Sequence, residues 1–223
     1  ADSTSLLILQ DEIAKEVTSK LGLWLIGDDR ALLAKRQTNN PEALNYYMQG
    51  NRLLSLKRDR ENIRKAIDYF ERAIDLDPSF AKAYAGLADC FALTSNTLYG
   101  PISVTEARSK AVWAANKAME ADDNLAESHT SMGVVALMFD WNWQESEREF
   151  KRAIELKPDY APARYWYSIL LAAQQRFDEA IQQGELAKSY DPYSRLADMN
   201  YGRVLYYTRR YDDAAAHFSR LLD

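Results

Sequence analysis

Few side chains in this sequence are suited to proton transfer, nucleophilic attack or metal ligation. There are two histidines, His129 and His217, and one cysteine, Cys90. Each histidine stands alone on its predicted helix, with no partner at metal-ligand spacing, so both read as core or surface histidines. Cys90 has no second cysteine to pair with, and its neighbours Ala88, Phe91 and Leu93 mark it as a small buried residue. No Gly-rich phosphate loop, nucleophile elbow or Cys/His pairing occurs. Glu145 and Glu149 lie at helical spacing, where a solvated face is expected rather than a general acid and base. Asp140-Trp-Asn-Trp143 sets two indoles at a turn. They are expected to pack beneath that turn and staple it, the alternative being that they grip a ligand. Catalysis, a bound metal and a cofactor are not expected.

The rest of the composition narrows the class. Over 223 residues the net charge is −5, with acidic and basic residues interleaved. No basic stripe of the kind that neutralises phosphates is present, so nucleic acid is not an expected partner. Lys57, Arg58 and Arg60, and Arg209 with Arg210, fall at predicted turns where charge is solvated. No apolar run approaches the roughly 18 residues of a membrane span. A lone cysteine fits a reducing compartment, so the cytoplasm is the expected location, or the periplasm if a span precedes these residues. With only 8 Gly and 6 Pro, and with Ala, Leu, Glu, Lys, Arg and Gln recurring throughout, nearly every segment favours helix.

Those helices recur with a period. Phe70-Glu-Arg-Ala-Ile-Asp-Leu-Asp-Pro78 is nearly repeated as Phe150-Lys-Arg-Ala-Ile-Glu-Leu-Lys-Pro158. Weaker copies are Gly184-Glu-Leu-Ala-Lys-Ser-Tyr-Asp-Pro192 and Ala115-Asn-Lys-Ala-Met-Glu-Ala-Asp-Asp123. Ala153, Ala187 and Leu221 are successively 34 residues apart, as are Ala180 and Ala214. Each unit reads as helix A, a tight turn, helix B and a proline that stops helix B. The units are placed at 43–78, 81–123, 126–158, 161–192 and 195–223. Small residues in mid helix A (Gly50, Ala88, Gly133, Ser168, Gly202) and early in helix B (Ala66, Ala111, Ser146, Ala180, Ala214) let neighbours approach closely. Phe70, Phe150 and Phe218 fill the space between hairpins. The second unit departs from the pattern, with an insertion over 94–104.

The period and signature make these segments resemble tetratricopeptide repeats. The resemblance implies an all-α, right-handed superhelical solenoid, and a role in binding other proteins. It also implies that helices A build a concave groove, to which Tyr47, Asn51, Lys82, Asp89, Thr130, Tyr165, Ile169, Arg203, Tyr206 and Tyr207 are assigned. Tyrosines with scattered polar groups suit a protein or peptide partner. The Lys/Asn clamp that some family members use for carboxylate tails is expected to be absent, since Tyr47 stands in the lysine position and Asp89 and Glu127 would repel such a tail. Self-association into a homo-oligomer and sensing of a small molecule are the alternatives to partner binding.

Residues 1–40 do not fit the repeat. Helices are expected over 9–21 and 28–36, with a strand at 23–26, and Asn40 is expected to cap the helix that begins at Pro41. Leu9-Gln-Asp-Glu-Ile-Ala-Lys-Glu-Val17 followed by Asn40-Pro-Glu-Ala43 resembles a junction in bacterial multidomain signalling proteins, where a winged-helix, cyclase or kinase domain precedes the repeats. The resemblance implies that 1–40 is the tail of an α/β domain. With no capping helix after the fifth unit, the array is expected to continue in the natural protein.

Overall fold

Capping side chains set several of the helix starts: Asn40, Asp59, Ser103, Asn142 and Ser194 each accept a backbone N–H from the first turn. The computed structural model describes Glu12 and residues 37–56, 59–94, 102–192 and 194–221. Apart from Glu12, the helices expected over 9–21 and 28–36, the strand at 23–26 and most of the 94–104 insertion fall outside these residues. Asn40 accepts the backbone N–H groups of Glu42 and Ala43 at 3.0 and 3.1 Å, as the sequence predicts, and α1 runs Pro41–Leu56. It is followed by α2 (Arg60–Leu76), α3 (Ala81–Thr94), α4 (Val104–Ala121) and α5 (Ala126–Met138). The remainder are α6 (Trp143–Leu156), α7 (Ala161–Ala173), α8 (Phe177–Tyr190), α9 (Arg195–Tyr207) and α10 (Tyr211–Arg220). Among the described residues there is no strand.

Proline ends three of the B helices through the residue before it. Asp77, Lys157 and Asp191 all leave the helical region, at φ −144°, −145° and −135°, because a following proline ring excludes the α conformation. Asp122 adopts the same extended geometry (φ −158°) before Asp123, so the turn does not depend on proline.

The helices pack as five antiparallel hairpins, α1/α2 to α9/α10, each resting on the next. Helices A (α1, α3, α5, α7, α9) also touch one another in series, which lines them up as one continuous face. Helix α2 buries Ile63, Ala66, Phe70 and Ala73, a stripe at i, i+3, i+7 and i+10, and leaves charges on its other side. Phe70 is fully buried because two glycines admit it. A Cβ would lie 2.7 Å from its ring at Gly50, and 2.6 Å from it at Gly86 of the following hairpin. Phe150 is seated likewise against Gly133, with Tyr167 of the next hairpin 6.4 Å away between ring centres. Phe218 presses on Gly202 in the same manner but stays half-buried. In α4 the aromatic position is taken by Ala115, and Ala107, Ala111, Ala114 and Ala118 are equally buried, so its fully buried positions are alanines, with Val112 packed beside them and Trp113 against Tyr84. Cys90 is buried in the core they share, as expected.

Candidate functional site

The face formed by helices A is where a partner would lie, and the structure distributes the expected groove residues unevenly over it. Arg203, Tyr206 and Tyr207 are exposed, whereas Tyr47, Asn51, Lys82, Asp89 and Ile169 are half-buried. Thr130 and Tyr165 are buried, at 2% and 5% exposure. The Thr130 hydroxyl is taken up by the Ala126 carbonyl at 2.8 Å, and Tyr165 packs on Trp166.

Several of these groups act on one another across hairpins. Tyr47 of α1 packs against Phe70 and Phe80, with ring centres 5.9 and 5.0 Å away. Burial pushes its phenol up to about 12, with the charges of Glu127 and Asp89 adding to the effect and a hydrogen bond with Asn51 opposing it. Tyr160, which precedes α7, is raised well above the ordinary phenol range by burial, and then by Glu127, Asp89 and the phenols of Tyr47 and Tyr165. Tyr47, Asp89, Glu127, Tyr160 and Tyr165 thus lie within range of one another's charge along this face, from the first hairpin to the fourth. The carboxylates among them are held in place. Ser131 donates to Asp89 at 3.0 Å, and Glu127 receives Lys82 at 3.1 Å and Lys157 at 3.9 Å. The Lys157 ammonium also lies 4.8 Å from the centre of the Tyr160 ring.

Sequence reasoning gave Glu127 only a repulsive role and passed over Tyr160. The available signal for Tyr160 was its position between Pro158 and helix A, which Phe80 holds in the first unit. At the far end of the face Arg203 reaches the Tyr207 hydroxyl at 3.3 Å and stacks on its ring at 5.8 Å. Tyr206 lies between Tyr207 and Tyr211, with ring centres 5.9 and 5.5 Å away.

Two expectations are corrected. Glu149 is not on a solvated face: α6 turns Ser146, Glu149, Phe150 and Ala153 inward, and Glu149 meets the buried His129 Nδ1 at 2.6 Å. The other nitrogen of His129 contacts the Asp123 carbonyl at 2.8 Å, which makes the histidine a clasp between α5, α6 and the preceding turn. The tryptophans do not pack beneath their turn. Trp141 is 75% exposed and Trp143 37%, because Trp141 takes a left-handed conformation (φ 51°) that swings its side chain outward. Apart from the A face, a cavity of about 590 Å³ lies between α2, α3 and α4, floored by Ile63, Ile67, Phe91 and Ile102. Among the described residues no group of three His, Cys, Asp or Glu side chains is placed to hold a metal ion. None of the described helices is long and apolar enough to cross a membrane.

Comparison with known proteins agrees with this architecture. The family profile of the tetratricopeptide repeat matches residues 52–97 and 136–195. The matched hairpins are tetratricopeptide repeats. The fold is similar to that of a thermophilic tetratricopeptide repeat protein from Thermus thermophilus, with a TM-score of 0.63 at 15% identity, over 81% of this chain and 90% of that one. It is similar also to PilF of Pseudomonas aeruginosa, with a TM-score of 0.52 at 18% identity, over 80% of this chain and 74% of that one. At these identities the likeness concerns the fold. No curated protein matches the chain by sequence.

Proposed function

We propose that the chain is a protein-interaction scaffold whose tetratricopeptide repeats hold a segment of a partner protein along the face of helices A. The observation that carries this reading is the run of phenols and carboxylates along this face, Tyr47, Asp89, Glu127 and Tyr160, continued at the far end by exposed Arg203 and Tyr207. Broad phenol rings supply contact area with little side-chain entropy to lose, and the fixed carboxylates and Arg203 orient a polar backbone. The resemblance of the amino-terminal segment to regulator junctions supports placing the scaffold in a bacterial signalling or regulatory protein.

Affinity capture from a lysate of the source organism tests this reading, with wild type beside an Arg203→Ala/Tyr207→Ala double variant. Both residues are exposed, so the fold is kept. A protein retained by the wild type and lost from the variant is the expected result. The same protein retained by both would place binding off this face and overturn the reading.

A further inference from the structure

The turns between helices A and B repeat one geometry along one edge of the array. Trp141, Gln175 and Arg209 have positive φ values of 51°, 62° and 64°, and they are spaced 34 residues apart in the sequence. In the last two turns the next residue, Arg176 or Arg210, closes the turn with a backbone bond of 2.9 Å to the carbonyl of Leu171 or Leu205. Two positions after each left-handed residue helix B begins, and each time it begins with an aromatic residue: Trp143, Phe177 and Tyr211. Trp143 and Tyr211 are exposed and Phe177 half-buried. Trp141 and Tyr206 add two more exposed rings to the first and last turns.

This aromatic row is fixed in place. Asp140 is pinned by the Arg108 guanidinium at 2.6 and 2.8 Å, and Asn142 caps α6 by accepting the Glu145 N–H at 3.2 Å. A left-handed backbone is unfavourable for a residue as bulky as tryptophan, yet here it points the most exposed large ring of the described residues into solvent. Successive helices A are in contact, and packed helix axes lie about 8–10 Å apart. A polyproline II strand advances about 9 Å per turn, presenting every third side chain to the same side. The two spacings agree.

Charge on this edge points to the sign of the partner. Glu179 and Asp213 are neutralised by Arg176 and Arg210, but Asp178 and Asp212, each directly after a ring, are exposed and meet no cation among the described residues. In the last turn Arg210 is taken up by Asp213, which leaves Arg209, on the other side of that turn, as the opposing charge. We propose that this edge is a docking surface for a basic, proline-rich segment of a partner protein. Its prolines stack on the row of Trp143, Phe177 and Tyr211, which Trp141 and Tyr206 widen at the two outer turns, and its cations pair with Asp178 and Asp212. The same carboxylates disfavour an anionic membrane.

The probe is a fluorescein-labelled synthetic peptide with proline at every third position and arginine between, titrated by anisotropy against the intact chain. Wild type is expected to bind it. A Trp141→Ala/Tyr211→Ala variant should bind at least about ten-fold more weakly. Asp178→Asn/Asp212→Asn should weaken binding and flatten its salt dependence, whereas Arg209→Ala should tighten it. Far-UV circular dichroism confirms that each variant keeps its fold. The proposal is overturned if wild type fails to bind at millimolar peptide, if the aromatic variant binds equally well, or if a peptide with glycine in place of proline binds as tightly. It is equally overturned if the row instead holds anionic vesicles, or a second copy of the chain by light scattering, while ignoring the peptide.

Discussion

Replacing Gly133 by alanine sets two opposed effects against each other, and the structure says which wins. In an exposed helix interior the change stabilises by about 1 kcal/mol, since glycine has more backbone entropy to lose. At Gly133 the new Cβ would stand 2.5 Å from Phe150 Cε1, 2.7 Å from Cδ1 and 3.0 Å from Cζ. The ring cannot withdraw, because Phe150 is fully buried with Tyr167 on its other side. Overpacking of a closed core costs about 1–3 kcal/mol, and a ring with no exit belongs at the upper end. The net expectation is a loss of about 1–2 kcal/mol in urea unfolding followed by circular dichroism, with unchanged m-value. The sharper test is the background dependence. In Phe150→Leu, which loses stability on its own, the added Gly133→Ala should be neutral or stabilising because its obstacle has gone. Gly184→Ala serves as control: its Cβ would meet only the edge of half-buried Tyr201 at 3.0 Å, so stability should move by less than about 0.5 kcal/mol. If Gly133→Ala stabilises the wild type, or costs the same with Leu at 150, the glycine–phenylalanine seating is not what spaces these hairpins.

Further outcomes follow from other contacts. The hydrogen bond with Glu149 raises the His129 pKa, while Glu149 is lowered because the bonds from His129 and Arg148 outweigh burial. Their contribution is therefore full between about pH 4.5 and 6.5, fading at higher pH as His129 deprotonates and at lower pH as Glu149 protonates. Chemical denaturation from about pH 6 to 9 should show wild type losing stability and His129→Gln nearly flat, and equal slopes would refute the pairing. Glu147 accepts Tyr167 at 2.9 Å and Arg176 and Lys151 at 2.8 Å, so Glu147→Gln should cost about 1–2 kcal/mol, against less than about 1 for the exposed Glu179→Gln. Thermal melts that rank the two variants the other way would show that Glu147 is not the joint between α6 and α7. Asn40→Ala removes a two-fold N-cap and should cost about 1 kcal/mol, whereas Asn40→Asp should retain most of it.

Periodicity made the hairpins readable because their boundaries are chemical: Asn40 must cap, and a residue before proline must leave the helix. The core positions were equally plain at Phe70 and Ala73, where a run of nine residues is repeated almost unchanged. What was hidden depends on contacts distant in sequence. Glu149 looks like any surface carboxylate until α5 brings His129 against it, twenty residues away. Trp141 reads as a staple until one φ angle reverses its direction, and nothing local to an indole announces that. Within the candidate site Arg203 and Tyr207 emerge from counting along helix A, but the joining of Tyr47 to Tyr160 requires the stacking of four hairpins. The second unit reads as a weaker copy because α4, like α8 with Gly184, lacks the bulky ring that Phe70, Phe150 and Phe218 give the other B helices.

The seating of the three phenylalanines also bears on how the chain behaves under load. Phe70 is gripped from both sides by Gly50 and Gly86, whereas Phe218 leans on Gly202 and remains half-buried. An array of this kind gains stability from each neighbouring pair, so its weakest joint fails before the others do. Pulled from either side, the array should lengthen in steps, with the joint that shares Phe70 the last to part. Such a strand would work as a graded spring, yielding length at its singly seated joints while the double-gripped one keeps its shape.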